Sequence, residues 1–171
     1  MKIRKTTTGD LPAVMEIFHD ARQFMRDNGN PDQWKTAHPP QFIIEKDIAD
    51  GLSHVCVNDA GDILATFFFD KNPDKTYAKI DGKWLNDEPY GVVHRIARAS
   101  IPQAKGAGAF CLNWSFEQIP NIRIDTHKDN TPMITLLERL GFKRCGIIWL
   151  ENGDERVSFQ AEGSGNGLRP L

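Results

Sequence analysis

Residues 90–118 change their hydrophobic period from strand to helix across a turn with glycines two apart, Gln103-Ala104-Lys105-Gly106-Ala107-Gly108. An apolar strand pattern covers residues 90–99, and a helical one covers 108–118. A helix N-terminus brings several unpaired N–H groups and a partial positive charge to one place, which suits an anion. Glycine there lets a phosphate approach the main chain closely. An ordinary strand-to-helix turn has the same composition, so the choice depends on the other segments.

Those segments predict a mixed architecture. Residues 1–6 read as a short first strand. Leu11, Val14, Ile17, Phe18, Ala21, Phe24 and Met25 repeat at helical spacing, with Asp10 at the cap, Pro12 in the first turn and Gly29 at the close. Residues 41–50 are a shorter helix ended by Gly51. Residues 54–58 and 63–69 flank Asp59-Ala60-Gly61 and read as a hairpin. Residues 70–89 are polar, carry turn formers and Trp84, and read as a long surface excursion. After the glycine turn come a strand at 121–126 and a helical stripe of Pro132, Met133, Leu136, Leu137 and Leu140 closed by Gly141. Two strands at 142–150 and 155–160 then flank Asn152-Gly153, a strong hairpin signal. The order is a strand, two helices, three strands, a helix, a strand, a helix and two strands. It predicts an α/β (α+β) fold with a central, mostly antiparallel sheet and about four helices. One domain over 1–160 and a loose Gly-rich tail over 161–171 complete the expectation.

Composition excludes several classes. In 171 residues the formal net charge is −2, so no basic field points to nucleic acid; Arg95, Arg98, Lys143 and Arg144 are dispersed. No apolar run approaches the roughly 18 residues of a membrane span, and the first ten residues lack an apolar signal core. Cys56, Cys111 and Cys145 are odd in number and far apart, which predicts free thiols and a cytoplasmic protein. Asp125, His127 and Asp129 alternate, but the strand ends near Thr126 and no HxH or HExxH accompanies them, so no metal is expected.

Among phosphate loops, a Walker sequence is absent, and a dinucleotide fingerprint lacks its third glycine because Ala109, Phe110 and Cys111 follow Gly108. The Q-x-x-G-x-G run that remains resembles the pyrophosphate loop of the GNAT N-acetyltransferase superfamily. The segment RIDTHKDNTPMITLLERLGF resembles the strand and helix that follow that loop in the family. VVHRIARA, and Gln33-Trp34, are similar to a group of small bacterial members. The likeness spans residues 2–160 in element order.

The resemblance implies acetyl-CoA as donor and a primary amine of a small molecule or peptide as acceptor. It implies that Gln103, Ala104, Lys105, Gly106, Ala107, Gly108 and Ala109 hold the pyrophosphate. A main-chain N–H around Ile96, Ala97 and Arg98, near a bulge, would meet the thioester oxygen, with the pantetheine arm lying along this strand where two strands splay apart. Asn130 caps the next helix and in the family also reaches the pantetheine. His94 is the candidate base, since an alkyl amine must lose a proton to attack; a packing or structural role fits the same residue. The family's usual tyrosine acid falls at Leu137, a departure that keeps a non-catalytic acyl-CoA-binding sensor or partner module as the alternative. Trp34, Trp84 and Tyr90 are the expected walls of an acceptor pocket, with Asp87 or Glu88 near a cationic amine. Family members often pair, so a homodimer is allowed, by analogy alone.

Overall fold

A computed structural model describes residues 1–35, 37–163 and 168. Strand β1 (Lys2–Lys5) leads into a 3-10 turn and helix α1 (Leu11–Asp27), whose apolar stripe buries Val14, Ile17 and Phe18. Asp10 does not cap α1 through its side chain. Its carboxylate works one turn earlier, accepting from Thr7 N (2.7 Å), Thr7 Oγ1 (2.8 Å) and both outer nitrogens of Arg4 (2.7 and 2.9 Å). Helix α2 (Gln41–Ala49) follows Pro39-Pro40. Strands β2 (Ser53–Val57) and β3 (Ile63–Asp70) form the expected hairpin, its turn held by the Asn58 and Asp62 side chains.

The polar excursion of residues 71–90 has more structure than its composition suggests. It contains a 3-10 turn (Lys75–Ala78) and a two-residue strand, β4 (Asp81–Gly82). Tyr77 and Trp84 from it bury against Val92, Cys145 and Ile148 as a second, smaller core. β4 lies so close to its partner strand that a Cβ on Gly146 would stand 2.1 Å from Asp81 O, and one on Gly82 would stand 2.2 Å from Cys145 O. Glycine is required on both sides.

Then come β5 (Gly91–Arg98), α3 (Ala107–Gln118), β6 (Asn121–Thr126), α4 (Thr131–Leu140), β7 (Lys143–Trp149) and β8 (Glu155–Glu162). α4 begins at Asn130, whose Oδ1 accepts from Met133 N (3.3 Å), and ends at Gly141 with φ 95°, the left-handed cap that glycine favours. β8 continues two residues past the expected end at Gln160. The loose tail expected over 161–171 is otherwise mostly outside the described residues; Leu168 is described and packs into the main core.

The eight strands form one sheet in the order β1-β2-β3-β5-β6-β8-β7-β4. All pairs are antiparallel except β5 with β6, which pair only at Gly91–Ile122 and Val92–Arg123. Side chains alternate between faces along each strand. One face carries Phe67 and Phe69, which pack edge-on against Trp114 of α3. The opposite face carries Phe68, Val92, His94, Arg123 and Asp125, the residues that the excursion and α2 cover. Each large side chain fully buried in this way contributes about 1.5–3 kcal/mol of transfer free energy. All three cysteines are buried and free.

Candidate active site

β5 changes partners midway, and that positions the site. Beyond Val92 it loses β6 and keeps only β3. Against β3 the register slips: Phe68 faces His94 but Thr66 faces Ala97, so Phe67 stands opposite both Arg95 and Ile96. This is a bulge at the place where the oxyanion donor is expected, and Arg95 takes φ 50° to make it. Asp47 of α2 holds Arg95 there, accepting from Nε (3.0 Å) and Nη2 (2.7 Å), while the guanidinium lies 4.6 Å from the Phe68 ring centre. Among the described residues, the splay leaves the β6-facing main chain of residues 93–98 without a strand partner.

A cleft of about 1340 Å³ occupies the splay. Val93, His94, Ile96, Ala97 and Arg98 of β5 form one wall, and Ile124, Asp125 and Thr126 of β6 with Met133 and Leu136 of α4 form the other. One end opens at the glycine turn. Gly106 has φ 84° at the mouth of α3, and Gly108 in the first helical turn lines the cleft. Gln103, Lys105 and Gly106 are exposed beside it; Ala107 and Ala109 are buried and offer main chain only, whereas the N–H groups of Ala104 and Lys105, expected as anion donors, are used within the 3-10 turn by Ile101 O and Pro102 O (both 3.1 Å). The first-turn N–H groups of α3 have no partner within the helix.

At the floor His94 is held between two carboxylates. Its Nε2 is 2.8 Å from Asp74 Oδ2, and its Nδ1 is 3.7 Å from Asp125 Oδ2. Burial raises the Asp74 pKa, but hydrogen bonds from His94 and from the hydroxyl and amide of Thr76 outweigh it and hold the carboxyl below the usual range. A carboxylate there requires Nε2 to carry a proton, which leaves Nδ1 of a neutral ring as the acceptor. Asp125 accepts in turn from Tyr77 Oη at 2.8 Å. Burial, and then Asp125, push the Tyr77 phenol well above its ordinary pKa, so it stays a donor.

The other end of the cleft lies under the α1–α2 connection. Trp34 is buried with its ring edge-on to Phe18 and lines the cleft with His38. Gln33 reaches across to α4: its Oε1 accepts from Asn130 Nδ2 (2.9 Å), which also donates to Thr126 Oγ1 (3.0 Å). Asn130 lines the cleft with both amide atoms already bonded to protein partners.

Trp84 and Tyr90, expected beside Trp34, lie elsewhere. Arg123 stacks between them, 4.4 Å from the Trp84 ring centre and 4.0 Å from that of Tyr90, and Trp84 Nε1 donates to Tyr77 O (3.0 Å). A buried guanidinium needs such partners, and these rings serve it rather than the cleft. Asp87 and Glu88 are off the cleft as well. Leu137 is fully buried, while its neighbour Leu136 faces the cleft. Asp125 turns toward His94, and the His127 ring accepts from Asp129 N (3.3 Å) at the strand end. Among the described residues no three His, Cys, Asp or Glu side chains are arranged to hold a metal, and no helix is long and apolar enough to cross a membrane. Sequence reasoning missed Asp74, Thr76, Asp47 and Arg156 as cleft residues.

The eight-stranded, mostly antiparallel sheet with its four helices and the cleft between its splayed strands matches the fold of solved GNAT acetyltransferases. A GNAT-family acetyltransferase from Streptococcus agalactiae is 27% identical, with 95% of each chain covered and a TM-score of 0.85. A GNAT-family acetyltransferase from Listeria monocytogenes is 21% identical over 95% of this chain and 94% of its own, TM-score 0.66. A GNAT-superfamily phosphinothricin acetyltransferase from Sinorhizobium meliloti, solved with AcCoA, is 13% identical over 99% and 92%, TM-score 0.63. The chain thus resembles small bacterial GNAT proteins along nearly its whole length. No protein-family profile matches it, and no curated protein does.

Proposed function

We propose that this protein is an acetyl-CoA-dependent N-acetyltransferase acting on a primary amine of a small molecule or peptide. The observation that carries the reading is that the bulge at Arg95–Ile96, the α3 N-terminus and the Asp74–His94 pair all open on one cleft. A protein of this fold from S. meliloti was solved with AcCoA, which supports the same donor here.

In this mechanism main-chain N–H groups of residues 106–109 and the α3 dipole bind the pyrophosphate, and Arg98 and Lys105 add charge. The pantetheine arm lies along the free edge of β5. An N–H of Ile96, Ala97 or Arg98 donates to the thioester oxygen as it gains charge. His94 Nδ1 takes the proton of the ammonium while Asp74 fixes the ring and Asp125 draws the cation in. The amine nitrogen then forms a bond to the carbonyl carbon, the carbon–sulfur bond breaks, the thiolate leaves with its electron pair, and the nitrogen gives up its second proton to water to complete the amide. A thiol pKa near 8.5 makes that a tolerable leaving group with water as proton source.

A second reading, an acyl-CoA-binding module without turnover, is favoured by the buried Leu137 where the family's acid would stand. Free-thiol release from acetyl-CoA with a panel of amines separates the two. Release that depends on the amine supports the enzyme; donor binding with no release for any amine supports the module.

A further inference from the structure

Resting on that reading, we infer that the acceptor carries a carboxylate besides its amine, and that Arg156 binds it. Arg156 stands on β8, where Ser158 pairs with Asp125 and Ile148 pairs with Arg156. Residues two apart on a strand share a face. Arg156 is therefore on the His94 and Asp125 face, diagonal to Asp125, a spacing of about 7–8 Å that a long side chain spans. The residue is 6% exposed and lines the cleft.

A buried guanidinium has five donors to satisfy. Among the described residues Arg156 donates only from Nη1, to Glu155 O (2.8 Å). The nearest carboxylate oxygen, Asp154 Oδ2, is 4.0 Å from Nη2, beyond hydrogen-bond reach, and already accepts from Asn152 Nδ2 (3.0 Å). The other acids of the cleft are taken: Asp47 by Arg95, Asp74 by His94 and Thr76, Asp125 by Tyr77, Glu151 by Lys75. Desolvation in the cleft, then Arg95, Arg156 and Arg22, push the His38 pKa down to about 4. A planar, forked donor of this kind matches a carboxylate in two-point contact. The acceptor class is a small amino-carboxylic acid, its amine at His94 and its carboxylate at Arg156.

The test compares matched acceptors, α- and ω-amino acids against their carboxamides, in the parent and in Arg156→Gln. The parent should favour the acid of at least one pair by roughly tenfold or more in kcat/KM. Arg156→Gln should lower kcat/KM for the acid by roughly tenfold or more and bring the acid-to-amide ratio to within about twofold of one. Equal rates on acid and amide in the parent overturn the inference and leave the acetyltransferase intact. If Arg156→Gln does not fold, the parent's acid-to-amide ratio decides. Calorimetry of CoA-loaded protein with the same pairs covers the remaining case. With no turnover, carboxylate-selective binding keeps the Arg156 site and removes the enzyme, and unselective or absent binding removes both.

Discussion

His94 and Asp74 are twenty residues apart in the chain, yet His94 Nε2 and Asp74 Oδ2 meet at 2.8 Å. The contact joins the bulged strand to the 3-10 turn of the excursion, so the orientation of the candidate base depends on a segment outside the strands that form the cleft walls. His94→Ala should lower kcat/KM by about 10²–10⁴, the usual range for a general base, with the loss shrinking as pH rises and more amine is neutral. Asp74→Asn should cost at least about tenfold, because an amide can present its NH2 to Nε2 and favour the wrong tautomer. Tyr90→Phe, off the cleft, should stay within about tenfold (~1.4 kcal/mol) of the parent. A pH–rate profile of the three variants with one good acceptor checks this; full activity in His94→Ala with loss in Tyr90→Phe would reassign the chemistry.

The glycine turn makes a second prediction. Gly108 lines the cleft, and a Cβ there would stand 3.4 Å from Leu136 Cδ2, so the further methyls of a valine must press on the helix or enter the donor path. Gly108→Val should weaken acetyl-CoA binding at least tenfold, ~1.4 kcal/mol. Gly106→Ala meets no atom within 4 Å but must hold φ 84°, which costs stability of the order of 1 kcal/mol. Calorimetry and thermal unfolding read the two effects separately.

Much of the fold is legible in the sequence because period and turn chemistry are local. The stripes of α1 and α4, the Asn152-Gly153 hairpin and the 121–126 strand all stand where their patterns place them. The excursion is not legible in this way. Residues 70–89 carry no period, so nothing local says that Asp74 turns to His94, that Tyr77 turns to Asp125, or that Trp84 and Tyr90 close on Arg123. Arg156 reads in the chain as an ordinary strand residue. Only the β6–β8 register puts it on the face of the cleft.

Gly146 tests whether the excursion supports the site. With a Cβ 2.1 Å from Asp81 O, Gly146→Ala must push β4 off β7. Unfolding free energy should fall by roughly 1–3 kcal/mol. The activity of the folded fraction should fall with it, as Asp74 loses its fixed approach to His94. Denaturant titration beside kcat/KM checks this, and a destabilised variant with parental kcat/KM would show that the turn holds Asp74 without β4.

The N-terminal ion pair sets an acid response. Hydrogen bonds from Arg4, opposed by burial and reinforced by Thr7, hold Asp10 well below the usual carboxylate range. A carboxyl whose folded pKa is depressed contributes stability above its unfolded pKa of about 3.9 and loses it as pH falls through the folded value. The Tm of the parent should therefore drop more between about pH 6 and pH 3 than that of Asp10→Asn. Equal drops in a pair of thermal melts would remove Asp10 from the acid response.

The single parallel contact between β5 and β6 divides the molecule into two leaves. One holds β1, β2, β3 and β5, the other β6, β8, β7 and β4, and they share a spine of two residue pairs. The chain crosses that spine early, because β4 follows β3 in sequence but lies at the far edge of the second leaf, so the excursion binds the book shut from one side. The sheet is narrowest in hydrogen bonds at Gly91–Ile122 and Val92–Arg123, and residues 71–90 bridge the two leaves beside that seam. Any extended ligand along the free edge of β5 then works as a splint, and occupancy and rigidity of the two leaves rise together.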